Sequence, residues 1–295
     1  MQVDKRFMNL KEEIAILGSG VIGQATGKGF IKKGYNVVFV DIDHKVVKKL
    51  KDEGSDSIHT SELKERSPDL FFITVQVPTK RKGPQVEKLK EAIKDISFCL
   101  KKIDKYVLVV VRSTVPPFTT KNIVTPLLEE LSGKEVGKDF GVCSNPEYLR
   151  ERFGEEDFLN PKVIIIGSED EKAAKRLGAF YENFPVSVHY FNTVEAEMHK
   201  YVHNLYNACK ISFFNEQREV CEEMNIDADK IFKAVVESAE ASWNPEYGIK
   251  NKGPFKGSCL PKDTEGFLRW VKNSLNKKLS LMESVVKVNN RLKRK

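Results

Sequence analysis

Over the first two thirds of the chain, short apolar runs alternate with amphipathic stretches. Seven runs rich in β-branched residues stand out, at 14–18, 36–41, 69–75, 106–114, 140–145, 162–167 and 186–191. Most lack polar alternation, which is the pattern of strands buried on both faces in a parallel sheet. Between them, 21–33, 43–53, 86–100 and 169–182 carry apolar residues at helical spacing. Strand and helix in alternation predict an α/β fold, a doubly wound and mostly parallel sheet with helices on both faces.

The pattern changes at Asn192-Thr193. A helical stretch runs from 194 to 224, with Asn192 or Thr193 as its N-cap. Shorter helices follow at 227–238 and 263–272, separated by a loop rich in Pro and Gly over 243–261. Strand-like runs become scarce. Two domains are expected, an α/β domain over 1–192 and a smaller all-helical one over 193–295. Leu275, Leu279, Met282 and Val286 form an apolar stripe at helical spacing that needs a partner.

Charge adds less than it first suggests. The net charge is +7, and residues 270–295 hold eight basic side chains and one acid, so the remainder of the chain is neutral. The excess belongs to a helix end and not to a binding face, which argues against a nucleic-acid partner. Five scattered cysteines without paired spacing argue against a disulfide framework or a zinc site and fit a reducing cytoplasm. The N-terminus is polar, and the longest apolar run, 106–111, is too short to span a bilayer. A soluble, cytoplasmic protein is expected.

The first chemical signal is Gly18-Ser19-Gly20-Val21-Ile22-Gly23, placed between the first strand and the first helix. The first glycine allows a tight turn and the second lets backbone approach a pyrophosphate. The third permits close packing of helix on sheet, and the helix N-terminus attracts the anion. Asp41 ends the next strand, where a carboxylate meets the adenosine ribose hydroxyls and repels a 2′-phosphate. A Rossmann-like domain that binds NAD is expected. Thr79 and the Ser113-Thr114 pair lie at the ends of the third and fourth strands, where ligands of open α/β sheets bind.

Three further segments carry polar chemistry. Glu147 and Glu151 lie four apart and would share a face if helical. Glu197, Lys200, Asn204 and Asn207 recur at helical spacing. Repeated Asn within a helix suggests side chains with partners, and the lysine would stabilise an oxyanion or act as a general base. Cys259, with Lys256 and Lys262 nearby and Asp263 four residues on, is a nucleophile whose thiolate those cations would favour. Taken alone, the same cysteine also reads as a small buried hydrophobe.

In this order the segments resemble the UDP-glucose/GDP-mannose dehydrogenase family, most closely its UDP-glucose 6-dehydrogenases. The matching stretches are GSGVIG (18–23), VPT (77–79), STVPP (113–117), NPEYLRE (145–151), DFLNP (157–161), EAEMHKYVHN (195–204) and GSCLPKD (257–263). The resemblance implies oxidation of a sugar C6 alcohol to a carboxylate with two NAD, through a thiohemiacetal and a thioester on Cys259. It implies Lys200 and Asn204 at the oxyanion, and Asp263 with a water in the acid–base steps. Glu151 would place the hydrolytic water near the nicotinamide. Glu147, Tyr148, Leu149, Lys200, Asn204 and Gly257 fall on substrate positions. Gly18, Gly20, Val21, Ile22, Gly23, Asp41, Thr79, Thr114, Glu151 and Lys262 fall on cofactor positions.

Two departures from the family pattern stand out. Lys256 replaces a glycine in front of Gly257-Ser258-Cys259. The sequence also stops where the family continues from a linker helix into a further nucleotide-binding domain. A homodimer through the helical domain is expected, and a separate chain supplying the further domain is one way to complete the protein. The alternatives are a β-hydroxyacid dehydrogenase of the 6-phosphogluconate type, which needs no cysteine, and an inactive NAD-binding partner subunit.

Overall fold

A computed structural model describes residues 12–81, 83–249, 253–257 and 259–293, with the side chain of Glu151 left out. Its strands are β1 (Glu13–Leu17), β2 (Asn36–Asp41), β3 (Ser57–His59), β4 (Leu70–Ile73), β5 (Thr79–Lys80), β6 (Gly83–Pro84), β7 (Val107–Val111), β8 (Phe140–Ser144), β9 (Ile164–Gly167) and β10 (Val188–Phe191). The helices of the first part are α1 (Val21–Lys32), α2 (His44–Asp52), α3 (Glu87–Leu100), α4 (Thr125–Ser132), α5 (Gly154–Leu159) and α6 (Glu171–Phe180). Those that follow are α7 (Thr193–Glu223), α8 (Ala228–Ser238), α9 (Glu240–Trp243), α10 (Leu260–Leu275) and α11 (Ser280–Lys293).

Among the described residues, eight strands form one sheet in the order β10-β9-β8-β7-β4-β1-β2-β3, and β5 and β6 form a separate small hairpin. From β3 to β8 every pairing is parallel. Within this sheet, among the described residues, only the β8–β9 contact, Ser144 opposite Gly167, is antiparallel, and β10 then runs parallel to β9. The strand order reverses between β1 and β4, so a crevice opens beyond their carboxyl ends, where ligands of such sheets bind.

The apolar strands split their side chains between two cores. Ala15, Leu17, Phe71, Ile73, Val107 and Val109 meet Leu89, Ile93 and Ile96 of α3 and Leu128 of α4 on one face. Ile14, Ile16, Leu70, Phe72, Leu108 and Val110 meet Phe30 of α1, Phe158 of α5 and Leu177 of α6 on the other. Both faces are therefore dry, as uninterrupted apolar runs require.

Two local expectations are corrected, and one short strand is added. β10 is an edge strand with His189 and Tyr190 exposed, so its run is not buried on both sides. β3, of three residues, left no signal in the pattern. Residues 145–150 are not helical and Glu151–Phe153 form one 3-10 turn, so Glu147 and Glu151 do not share a helix face. Glu147 Oε2 instead accepts the Leu149 amide 2.6 Å away, a local turn that competes with helix.

The chain divides into two compact units, Met1–Val202 and His203–Lys295. In the second, Val220 of α7, Val271 of α10 and Leu279 form a small core, with Leu268, Leu275 and Met282 against it. The stripe 275–286 does not lie on one helix. α10 ends at Leu275, Asn276 takes a left-handed conformation, and α11 begins at Ser280. The turn brings Leu275, Leu279 and Met282 of the stripe onto one internal core.

Candidate functional site

The glycine turn is built as its spacing demands. Gly18 has φ +93°, and a Cβ there would lie 2.9 Å from the Val75 amide nitrogen. The Thr74 hydroxyl donates to the Gly18 carbonyl at 2.7 Å and fastens the turn to the end of β4. At Gly23 a Cβ would strike the Gly18 carbonyl. Gly20 differs from both, since nothing lies within 4 Å of a Cβ built there. Gly20 is also the N-cap of α1, gives no side-chain cap, and is followed by a first turn without acids. The first amides of α1 thus open onto the crevice without a capping side chain, as an anion site requires.

Asp41 ends β2 beside the glycine turn. Its Oδ2 accepts the Ser19 amide at 2.7 Å and its Oδ1 accepts the Asp43 amide at 2.9 Å, so the carboxylate is fixed by two backbone donors. A pocket of about 430 Å³ lies beside it, lined by Gly18, Val40, Asp41, Ile42, Thr60 and Asp95 among others. The Thr60 hydroxyl donates to Asp95 Oδ2 at 2.5 Å on its wall.

Across the glycine turn, a wider pocket of about 700 Å³ lies at the ends of β4 and β7. Ile22, Val77, Pro78, Ser113, Thr114 and Glu147 contribute to its lining. Ser113 Oγ donates to the Val75 carbonyl at 2.6 Å and joins its two walls. Lys200, only 6% exposed, donates to the Glu147 carbonyl at 2.5 Å and meets its Oε1 at 3.2 Å. The Tyr148 hydroxyl and His199 Nδ1 are 2.7 Å apart, and Lys200 Nζ stands 5.1 Å from the centre of the Tyr148 ring. Burial raises the Tyr148 phenol above its ordinary range, with the Arg112 charge opposing.

In the second unit Cys259 is exposed and stands at the N-cap of α10. The helix begins three residues before its expected start, because Pro261 sits in its first turn, where a missing N–H costs nothing. The Asp263 amide donates to the Cys259 carbonyl at 2.8 Å, and Asp263 Oδ1 lies 3.3 Å from the exposed Lys262 ammonium. Gly257 has φ +95°, while Ser258 lies outside the described residues. Among the described residues, no group of His, Cys, Asp and Glu has the arrangement of a metal site, and no helix is long and apolar enough to cross a membrane.

The open Gly20, the uncapped α1 and the fixed Asp41 together suit a dinucleotide. Comparison with known proteins agrees. Residues 57–185 match the NAD binding domain of the UDP-glucose/GDP-mannose dehydrogenase family, and 194–291 match its central domain. The chain belongs to that family. Residues 13–77 also match the NAD binding domain of 3-hydroxyacyl-CoA dehydrogenase. GDP-mannose 6-dehydrogenase of Pseudomonas putida is 29% identical over 297 residues, covering 94% of this chain and 67% of its own. A UDP-glucose 6-dehydrogenase of Haloferax volcanii is 32% identical over 284 residues, covering 87% and 64%. The structure of a ternary complex of GDP-mannose dehydrogenase from Pseudomonas aeruginosa superimposes with a TM-score of 0.88 at 27% identity, covering 95% of this chain and 68% of that one. The chain thus spans about two thirds of the length of these relatives. It is an NAD-dependent oxidoreductase.

Gly18 and Asp41 share the smaller pocket, and Ile22, Thr114 and Glu147 share the wider one, with Lys200 bound to Glu147. Val21 is exposed beside Gly20. Thr79 is exposed in the β5–β6 hairpin, one residue past the lining residue Pro78, and does not itself line the pocket. Asn204 is exposed and Asn207 pairs with His203 at 3.2 Å, so the helix asparagines are not buried as Lys200 and Glu197 are. Arg112 was missed. It is buried between the Thr26 hydroxyl at 3.0 Å and Asn145 Oδ1 at 2.6 Å, and a charge directly after a five-residue apolar strand was its one sequence signal.

Proposed function

We propose that this chain is a nucleotide-sugar 6-dehydrogenase of the UDP-glucose type. Residues 1–192 would be the NAD-binding domain, and 193–295 a helical domain that carries the nucleophile and pairs with a second copy. NAD, when bound, supplies the hydride acceptor for each of two oxidations. Everything else falls to the chain's own side chains.

The Cys259 sulfur adds to the aldehyde carbon formed in the first oxidation and holds it as a thiohemiacetal. After the second oxidation the carbon is a thioester. Water then breaks the C–S bond, which releases the carboxylate and returns the thiol. The covalent tether keeps the aldehyde from escaping between the two oxidations. Lys200, held by Glu147, is assigned to the oxygen that gains negative charge, with Asn204 beside it. Asp263 and a water carry the protons, and Glu151 orients the hydrolytic water. Gly20, Val21, Ile22 and Gly23 would face the pyrophosphate and Asp41 the ribose. Thr79, Thr114 and Lys262 are further cofactor contacts, and Tyr148, Leu149 and Gly257 line the sugar's path.

The observation that carries this reading is the exposed Cys259 at the N-terminus of α10, the positive end of the helix dipole. Exposed Leu205, Tyr206 and Ile211 on α7 support the homodimer. A cytoplasmic location suits a reactive thiol. The test is the NADH formed per UDP-glucose consumed, with GDP-mannose alongside, for the chain and for Cys259→Ser. About two NADH per sugar, lost in the variant, supports the reading by the stoichiometry of a four-electron oxidation. Turnover that survives Cys259→Ser would sink it.

A further inference from the structure

Glu197 has no part in the chemistry above, yet it is among the most buried charged side chains of the first unit, at 2% exposure. It projects from α7 one turn before Lys200. Its Oε1 accepts the Thr120 amide at 2.7 Å, and the amides of Phe118 and Thr119 also face the carboxylate. Those amides begin a π-helical turn, Thr120–Val124, that runs into α4. Its Oε2 and the Thr120 hydroxyl are buried without a hydrogen-bond partner among the described residues.

Immediately before this turn lies the loop with Ser113, Thr114, Pro116 and Pro117. Phe118 closes it with φ +73°, a conformation that side chains other than glycine avoid. Such backbone persists only where its surroundings over-determine it. Two contacts do so here: the Thr119 hydroxyl donates to the Pro116 carbonyl at 2.6 Å, and Glu197 Oε1 holds the Thr120 amide at 2.7 Å. One turn further along α7, Lys200 holds Glu147 on the facing side of the same pocket.

We propose that Glu197 is a positioning residue: its carboxylate holds the Ser113–Thr114 loop in the form that receives the nicotinamide half of NAD. α7 thereby ties both sides of the wider pocket through two side chains of opposite charge, Glu197 to the loop and Lys200 to Glu147. The adenosine half, on the Asp41 side of the glycine turn, is independent of this tie. The proposal rests on the assignment of the two pockets to the two halves of the dinucleotide.

That independence gives the test. NAD and ADP-ribose affinities are measured by calorimetry on the full chain, for wild type, Glu197→Gln and Glu197→Leu, with the melting temperature of each. Glu197→Gln keeps the size and one acceptor oxygen, so the fold stays measurable. The expected result is NAD binding weakened about tenfold in Glu197→Gln, the worth of a charge-assisted hydrogen bond, and more in Glu197→Leu, with ADP-ribose binding unchanged. A merely structural role would weaken both ligands in proportion to lost stability, and that outcome overturns the proposal, as does unchanged NAD affinity in both variants. Wild type that bound ADP-ribose and NAD equally well would instead overturn the pocket assignment itself.

Discussion

Lys200 Nζ lies 3.2 Å from Glu147 Oε1 and 2.5 Å from the Glu147 carbonyl, and both side chains are nearly out of solvent. A buried ion pair of this kind is costly to break from one side, because the remaining charge is left without compensation. Lys200→Met should therefore destabilise the first unit by about 3–5 kcal/mol, and Glu147→Gln with Lys200→Met should recover part of that loss. Urea unfolding of the single and double variants checks this. Additive losses would show that the two charges do not act as a pair.

Gly18 and Gly20 are two residues apart and should fail in different ways. Gly18→Ala puts a Cβ 2.9 Å from the Val75 amide at φ +93°, so it should lower stability by roughly 1–3 kcal/mol. Gly20→Ala meets nothing within 4 Å, so its melting temperature should match wild type while NAD affinity falls at least about tenfold. Unimpaired NAD binding in Gly20→Ala would remove the pyrophosphate from this turn.

Phe118 should tolerate glycine better than itself. Relief of the left-handed strain gains about 1–2 kcal/mol, and the added freedom of the unfolded chain takes back up to about 1 kcal/mol. Phe118→Gly is thus expected to be neutral to about 2 kcal/mol more stable, read from thermal or denaturant unfolding. A clear destabilisation would mean that the exposed ring has a partner of its own.

Burial pushes the Glu197 carboxyl above its ordinary value of 4.5, with the amides at 118–120 opposing. The native state then holds its proton to higher pH than the unfolded chain. Stability from this group is present below 4.5 and declines as pH rises through the higher native value. Glu197→Gln should flatten that part of the stability–pH curve. Identical curves would assign the decline to other groups.

Thiol labelling should separate the cysteines. Burial pushes the Cys99 and Cys143 thiols up to about 12, so both stay protonated and shielded at neutral pH. Cys209 and Cys259 are exposed. Iodoacetamide at neutral pH, followed by peptide mapping, should modify Cys209 and Cys259 while the fold persists. Early modification of Cys143 would contradict the sheet packing described for β8.

Much of the first unit was legible because its signals are local. The apolar runs at 14–18 and 106–114 have no solvated face and can only be interior strands, and the strand–GSGVIG–helix order carries its own reason for each glycine. What failed was equally physical. Glu147 and Glu151 suggested a helix by spacing, but Glu147 captures the Leu149 amide and turns the chain instead. The stripe from Leu275 to Val286 suggested one helix, but Asn276 takes a left-handed turn and folds the stripe onto Val220 and Val271.

The sequence by itself determined the α/β alternation, the glycine turn with Asp41, and Cys259 as the conspicuous thiol, since each depends on residues adjacent along the chain. Tertiary structure alone decided that Lys200 meets Glu147 across 53 positions and that Glu197 meets Thr120 across 77. Burial of a charge takes its meaning from the partner that arrives with it, and no periodicity in one segment encodes that partner.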